Sequence, residues 1–200
     1  MKTKTFILLT GLFFPILINA QLPEKAEDIS PLLNGETVPN AMLTSPDGKK
    51  FQLKEIVGQK PTVLLFYRGG WCPFCNAHLL EIQGVQNQVV NLGYQIIAIS
   101  PDSPQNLIAT DEKQDLAYSL YSDAEGKLIK AMGLAFKAPE RYSGMLLEKS
   151  GGLNPGFLPV PAVFVLDTSG KILFEYINPD YKTRLKADML MAVLKSIQNK

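Results

Sequence analysis

Two short apolar runs separated by a helical pattern constrain the fold of this chain more than any other feature of its sequence. The first run is Pro61 to Tyr67 (PTVLLFY) and the second is Gln95 to Ser100 (QIIAIS). A continuous apolar run of this length is typical of a strand buried on both faces, as in a parallel sheet. Between the runs, apolar residues recur at helical spacing from Leu79 to Val89. Strand, helix and strand in this order predict a layered α/β domain.

The other segments extend the same α/β pattern. Ala41 to Leu53 and Ala162 to Ile177 are each predicted to form a hairpin, because a Gly-containing turn separates two apolar runs. Ser103 is a predicted helix N-cap, followed by a proline at the first helical position. Leu185 to Ile197 has the apolar spacing of an amphipathic C-terminal helix. The Gly- and Pro-rich stretch from Ala138 to Leu158 shows no sustained period and is predicted to be an inserted loop.

The first twenty residues have the pattern of a secretory signal peptide. Lys2 and Lys4 precede an apolar core from Phe6 to Ile18, and Ala20 offers a small residue for cleavage. We therefore predict a signal peptide over residues 1–20 and one domain over residues 21–200, exported to the periplasm or secreted. The apolar core is shorter than the roughly 20 residues that a membrane span needs, which favours a signal peptide. After cleavage we expect no stable membrane insertion. An uncleaved N-terminal anchor is the alternative.

Composition and charge exclude several classes of function. The chain is 46% hydrophobic and 20% charged, which is a globular composition. Lys and Arg number 20 against 19 for Asp and Glu. This balance argues against a nucleic-acid partner, which needs a clear basic excess or stripe. Two cysteines are too few for a disulfide framework or, alone, for a four-ligand zinc site.

The two cysteines form a Cys-x-x-Cys motif, Trp71-Cys72-Pro73-Phe74-Cys75, between the first buried strand and a predicted helix. Free N–H groups and the helix dipole stabilise negative charge at that position, which lowers a thiol pKa and raises its reactivity. The two-residue spacer lets one sulfur attack the other once it is oxidised. The motif therefore indicates redox chemistry, with a plain structural disulfide as one alternative. A metal chaperone site built from Cys72, Cys75 and His78 is another.

The segment from Phe66 to Cys75 resembles the active-site loop of the thioredoxin superfamily, and still more that of peroxiredoxins of the alkyl hydroperoxide reductase and thiol-specific antioxidant family. The motif Arg-Gly-Gly-Trp-Cys-Pro-Phe-Cys is similar to that of a peroxiredoxin-like subgroup with a Cys-x-x-Cys loop. Val163 to Ile172 resembles the late hairpin of the family, and Asp180 to Leu185 its ending. The resemblance spans Ile29 to Ile197 and implies a thioredoxin-like fold, with a central mixed sheet flanked by helices.

The resemblance implies a thiol-dependent peroxidase without a bound cofactor. Cys75 takes the position of the peroxide-attacking cysteine, and Cys72 replaces the family's hydroxyl residue. Cys72 would then form a disulfide with Cys75, which a thioredoxin-like dithiol reductant would restore. A homodimer is a further expectation from the family. The usual late arginine is missing around Leu158 to Ala162, so Arg68 and Arg141 are the candidate substitutes.

Three further residues are predicted to bind substrate. Pro161 matches the proline that thioredoxin-like folds place in the cis form beside the cysteine pair, and Tyr67 and Trp71 are expected to be pocket walls. The same residues also fit a thiol-disulfide oxidoreductase that acts on exported proteins. In that alternative Cys72 is the attacking thiol and Cys75 resolves the mixed disulfide.

Overall fold

A computed structural model describes residues 21–199. The predicted signal peptide lies outside the described residues, so that prediction stands as it was made. Across residues 21–199, none of the helices combines the length and the apolar character that crossing a membrane requires.

The described chain forms a mixed seven-stranded sheet with helices packed on both faces, as predicted. The strand order is β2-β1-β5-β4-β3-β8-β9, and a separate two-stranded sheet pairs β6 with β7. Strands β3, β4 and β5 are parallel, whereas β8 runs antiparallel to both β3 and β9. The strands are β1 Met42–Thr44, β2 Lys50–Gln52, β3 Thr62–Phe66, β4 Gln95–Ser100, β5 Ser119–Ser122, β6 Ala135–Lys137, β7 Phe157–Pro159, β8 Ala162–Leu166 and β9 Ile172–Ile177.

Seven α-helices are present among residues 21–199, with two short 3-10 turns at Ala26–Asp28 and Glu140–Tyr142. Ser103 caps α4 as predicted, because its side-chain oxygen accepts from the backbone N–H of Asn106. The helices are α1 Leu53–Val57, α2 Pro73–Gln83, α3 Gln86–Asn91, α4 Pro104–Gln114, α5 Lys127–Ala131, α6 Ser143–Lys149 and α7 Ala187–Gln198.

Strand β3 organises two hydrophobic cores, one on each face of the sheet. Val63 and Leu65 pack against apolar residues of α2, α3, α4 and α7. Leu64 and Phe66 point to the opposite face, where they join residues of α1 and α5. All five residues of β3 are buried. This explains why the strand is apolar from Val63 to Phe66 instead of alternating, and it fixes the strand end from which the Cys-x-x-Cys loop departs.

Two predicted segments differ from the structure. The single helix expected through Val89 is two helices, α2 and α3, with a break at Gly84 and Val85. The inserted loop predicted over residues 138–158 is wrong in part, because this stretch contains α6 and contributes β7 to a sheet. The helix buries only Leu146, so its sequence carries no apolar period. The Asn154 side chain, through three hydrogen bonds at 2.9–3.0 Å, fixes the turn that follows.

Candidate redox site

The Cys-x-x-Cys loop connects the end of β3 to α2, as predicted. Cys72 is the N-cap of α2 and Pro73 is its first residue. The carbonyl of Cys72 accepts from the backbone N–H groups of Cys75 and Asn76, at 3.1 and 3.0 Å. Both cysteines are free thiols and only 1% exposed. The structure therefore brings the two sulfurs to the first turn of a helix, shielded from solvent.

Two glycines let the loop pass close to its surroundings. Gly69 has a φ of +138°, and a Cβ built there would lie 2.7 Å from Asp102 Oδ1 and collide with the Trp71 indole. The N–H of Gly70 donates to Asp102 Oδ2 at 2.7 Å. Asp102 follows β4 and is 2% exposed, and burial raises the pKa of its carboxyl to about 6. Asp102, which no sequence pattern indicates, anchors the redox loop from just beyond the end of β4.

The pKa values of the two thiols are shifted in opposite directions. The side-chain hydrogen bond from Cys75 lowers the pKa of Cys72 to about 6, with smaller contributions from the charges of Arg68 and Arg184. Burial raises the pKa of Cys75 well above its ordinary value, and the hydrogen bond to Cys72 raises it further. The two shifts make Cys72 the more acidic thiol of the pair, and acidity of this kind favours the reactive thiolate form.

An arginine that the sequence analysis missed approaches the second sulfur. Arg184 Nη2 lies 3.6 Å from Cys75 Sγ. Its segment, between β9 and α7, is held by α2, because His78 Nε2 bonds the carbonyl of Leu185 at 3.1 Å and a Glu81 oxygen accepts from Ala187 N–H at 3.0 Å. In the sequence, only the resemblance of Asp180 to Leu185 to the end of the family's domain indicated this segment.

Arg68, a candidate from the sequence, is buried beside the loop and is 4% exposed. Its guanidinium carbon lies 4.1 Å from the ring centre of Tyr181, 5.0 Å from that of Trp71 and 5.4 Å from that of Tyr142. Its Nε has no hydrogen-bond partner among the described residues. Within residues 21–199 no carboxylate forms an ion pair with Arg68, so the aromatic rings stabilise its charge. Arg141, the other candidate, is exposed, and its guanidinium carbon lies 4.9 Å from the ring centre of Tyr142.

The predicted substrate-binding residues separate into different places. Pro161 lines a cavity of about 280 Å³ together with Arg68 and Tyr181. The cis form predicted for its peptide bond is wrong, because residues 21–199 contain no cis bond. Val160 N–H donates to the carbonyl of Leu134 at 2.9 Å and β8 begins directly after Pro161, so the chain is extended through this point.

The remaining predicted residues lie on other sides of the loop. Tyr67 is buried in the same apolar core as both cysteines, so it supports the loop from within and lines neither of the two cavities beside the loop. Trp71 packs against Arg68 and also lines a second cavity, which Pro161 does not reach.

His78 does not join the cysteines in a metal site. Its ring is buried against the carbonyl of Leu185, and burial, followed by the charge of Arg184, lowers its pKa to about 4. Within residues 21–199, no three His, Cys, Asp or Glu side chains lie close enough together to hold a metal ion. The arrangement gives no geometric support to the metal chaperone hypothesis.

The acidity of Cys72 is open to direct titration. Ultraviolet absorbance of the reduced protein should report a thiolate that forms with a midpoint near pH 6, because the pKa of Cys72 is about 6. The thiolate predominates above this pH and is protonated below it. The variant Cys75→Ala removes the main hydrogen bond and should move the midpoint towards the ordinary thiol value, whereas Arg141→Ala should leave it unchanged. A wild-type midpoint above pH 8 would contradict the lowered pKa of Cys72.

Comparison with known proteins identifies the family. The sequence profile of the AhpC/TSA family matches residues 34–174. Peroxiredoxin Bcp of Escherichia coli (strain K12) is 24% identical over 167 residues, which are 84% of this chain and 98% of the relative. Thiol-disulfide oxidoreductase ResA of Bacillus thuringiensis subsp. konkukian is 26% identical over 153 residues, which are 76% of this chain and 74% of the relative.

Solved structures show the same fold. Reduced Prx3 of Vibrio vulnificus in complex with hydrogen peroxide superposes with a TM-score of 0.70 and 20% identity, covering 82% of this chain and 99% of that one. Peroxidoxin BcpB of Mycobacterium tuberculosis superposes with a TM-score of 0.65 and 23% identity, covering 82% and 97%. With the family profile spanning most of its length, this chain belongs to the AhpC/TSA family and is a peroxiredoxin-like protein with the thioredoxin fold.

Proposed function

We propose that the protein is a thiol-dependent peroxidase that reduces hydroperoxides with the pair Cys72 and Cys75. The observation that carries the proposal is a pair of free thiols at the first turn of α2, beside Arg68 and Arg184, with the pKa of Cys72 lowered. A thiolate is the form that attacks peroxide, and cationic neighbours stabilise the negative charge that develops on the leaving oxygen. The match to the AhpC/TSA family and the similarity to relatives that are named peroxiredoxins support this enzyme class.

The chemistry needs no bound cofactor. The Cys72 thiolate attacks the terminal oxygen of the hydroperoxide, the O–O bond breaks, and the leaving alkoxide takes a proton to become an alcohol. Cys72 is then a sulfenic acid. Cys75 attacks that sulfur, water leaves, and the Cys72–Cys75 disulfide forms. A thioredoxin-like dithiol reduces this disulfide and returns both thiols to the protein.

The roles of the two cysteines in this proposal are the reverse of those that the resemblance implies. In the family pattern Cys75 is the cysteine that attacks peroxide. That assignment is untested and remains the prediction from the resemblance. The hydrogen bond that Cys75 donates favours Cys72 instead, because a buried thiol with a raised pKa is a poor nucleophile. Arg184, 3.6 Å from Cys75, is placed to help Cys75 deprotonate once Cys72 has lost its negative charge.

The setting of the enzyme belongs to the same proposal. The N-terminal pattern of residues 1–20 supports export to the periplasm or secretion, with the domain of residues 21–200 acting there after cleavage. The partners would be a hydroperoxide substrate and a dithiol reductant. The homodimer expected from the family remains a prediction, and light scattering of the purified mature chain tests it.

Thiol-disulfide exchange is the second candidate function. A low pKa on the first cysteine of the pair is the feature that the alternative requires, and burial of the second matches a resolving role. Similarity to a relative named thiol-disulfide oxidoreductase ResA also supports this alternative. The two functions share Cys72 as nucleophile and differ in whether its substrate is an O–O or an S–S bond.

A direct comparison of substrates separates the two functions. The reduced mature protein is mixed in turn with an organic hydroperoxide, hydrogen peroxide and a disulfide-bonded exported protein, under a shared dithiol reductant. A peroxidase should turn over a hydroperoxide at least about tenfold faster than the disulfide substrate, measured as reductant consumed per enzyme. Faster turnover of the disulfide would overturn the primary proposal in favour of the alternative.

A further inference from the structure

The segment that carries Arg184 has no regular secondary structure of its own. It connects β9 to α7, and residues 183–186 lie in neither a helix nor a strand. Arg184 nonetheless places its Nη2 3.6 Å from Cys75 Sγ. A segment without a hydrogen-bond ladder keeps one position only where other elements hold its backbone. The approach of Arg184 to the sulfur therefore depends on the contacts that its segment makes with the rest of the fold.

His78 makes such a contact beside Arg184. It lies on α2 three residues after Cys75, so the two side chains emerge from the same face of the helix. Its Nε2 lies 3.1 Å from the carbonyl oxygen of Leu185, the residue that follows Arg184. His78 is 7% exposed and Leu185 is 1% exposed, so water does not compete for this hydrogen bond. One buried bond thus ties the backbone next to Arg184 to the helix that carries Cys75.

The neighbouring contacts between the segment and α2 lie farther from Arg184. Three residues before it, the ring of Tyr181 packs edge-on against that of Phe74, with 5.6 Å between the ring centres. Three residues after it, Glu81 Oε1 accepts from the N–H of Ala187 at 3.0 Å. Between these two points, the histidine bond is the hydrogen bond that attaches the backbone to α2. Loss of this bond would release the residues on either side of the arginine.

His78 acts on the thiol through Arg184 and not through a charge of its own. Burial, followed by the charge of Arg184, lowers the pKa of His78 to about 4, so the ring is neutral near neutral pH. A carbonyl oxygen only accepts, so Nε2 is the nitrogen that carries the proton. Burial raises the pKa of Cys75, and the charge of Arg184 opposes that shift. The arginine is therefore the group whose position matters to the second thiol.

We propose that His78 is a positioning residue for the resolving thiol. By bonding the Leu185 carbonyl, it holds Arg184 where the guanidinium stabilises the Cys75 thiolate as it forms. When this thiolate attacks the sulfenic acid of Cys72, the S–S bond forms and the S–O bond breaks. The departing hydroxide takes up the proton that Cys75 has lost and leaves as water. The inference rests on the proposed pair of redox thiols, but not on peroxide as their oxidant.

The test replaces peroxide by dithiodipyridine, a disulfide reagent that reports each thiol in turn. The Cys72 thiolate attacks its S–S bond and releases one thiopyridone. Cys75 then attacks the mixed disulfide, releases the second thiopyridone and closes the protein disulfide. Stopped-flow absorbance should therefore show two phases. His78→Leu should slow the second phase about tenfold and change the first less than about threefold, and Arg184→Gln should slow the second phase to a similar extent.

A double-mutant cycle determines whether His78 acts through Arg184. In the Arg184→Gln background, His78→Leu should have little further effect on the second phase, because the charge that it positions is gone. His78→Gln keeps an amide that donates to the carbonyl, and its second phase should stay within about threefold of wild type. The matched control is Tyr118→Phe, which removes another buried hydrogen bond to α2, from the tyrosine hydroxyl to the carbonyl of Leu79 at 2.8 Å. It should leave both phases unchanged.

Three results would overturn the proposal: equal slowing of both phases by His78→Leu, an unchanged second phase, or additive losses in the double variant. Circular dichroism shows whether each variant is folded. If His78→Leu does not fold, His78→Asn gives the same comparison, because its amide is too short to reach the Leu185 carbonyl. The reagent itself supplies the oxidising power. Failure of the protein as a peroxidase would therefore leave this test unaffected, and the two failures are distinct.

Discussion

Replacing Cys72 by serine should lower hydroperoxide turnover at least roughly a thousandfold, because the variant loses the nucleophile and a serine hydroxyl stays protonated near neutral pH. Cys75 remains in this variant, but burial holds its pKa well above the ordinary value. The residual thiol is therefore protonated and shielded. Reductant-coupled peroxide consumption by the purified variant measures the loss.

The matched variant Cys75→Ser separates the roles of the two sulfurs. It keeps a hydrogen-bond donor beside Cys72 but removes the resolving thiol. It should react once with peroxide and stop at a sulfenic acid on Cys72, which a sulfenic-acid-specific reagent labels and mass spectrometry locates. If instead Cys72→Ser accumulates a labelled Cys75 while Cys75→Ser does not react, the attacking role belongs to Cys75, as the family resemblance predicts.

Gly69→Ala should lower the free energy of unfolding by about 2–4 kcal/mol, since two penalties combine at one position. The residue has a φ of +138°, a region that alanine adopts only with strain. The new Cβ would also meet the Trp71 indole and lie 2.7 Å from Asp102 Oδ1. Relief of that contact displaces the loop that carries Cys72. Guanidinium denaturation followed by circular dichroism measures the loss, and peroxide turnover should fall with it.

Gly152→Ala is the control for backbone strain without collision. Gly152 has a φ of +89°, and a Cβ there has no neighbour within 4 Å. Its substitution should cost only about 1 kcal/mol and leave turnover unchanged. Equal losses of stability in the two variants would show that the contacts of Gly69 with Trp71 and Asp102 do not constrain the loop.

Much of the fold is predictable from local sequence because its central strands are almost entirely apolar. The runs that become β3 and β4 are buried on nearly every residue, so apolar continuity alone identifies them. Proline and glycine likewise mark the N-terminus of α4 and the turn between β8 and β9. Helix α6 is the opposite case. It is seven residues long and buries one leucine, so tertiary contacts and not its own pattern stabilise it.

Only the part of the candidate site that is contiguous in sequence, the Cys-x-x-Cys loop, is predictable from the sequence. Cys72 and Cys75 are identified by spacing and by their place between a strand and a helix. Arg184 lies 109 residues from Cys75 in an irregular segment, and its approach depends on His78 bonding the carbonyl of Leu185. Long-range contacts of this kind leave no period or motif in the sequence.

The most direct test of the peroxidase proposal is the rate at which the pre-reduced mature protein, freed of excess reductant, consumes hydrogen peroxide. Trp71 adjoins Cys72, so a stopped-flow fluorescence trace should follow disulfide formation in the same reaction. The proposal predicts a second-order rate constant at least about a hundredfold above that of free cysteine, with loss of the signal in Cys72→Ser. A rate constant equal to that of free cysteine, with rapid reduction of a disulfide-bonded protein, would contradict it.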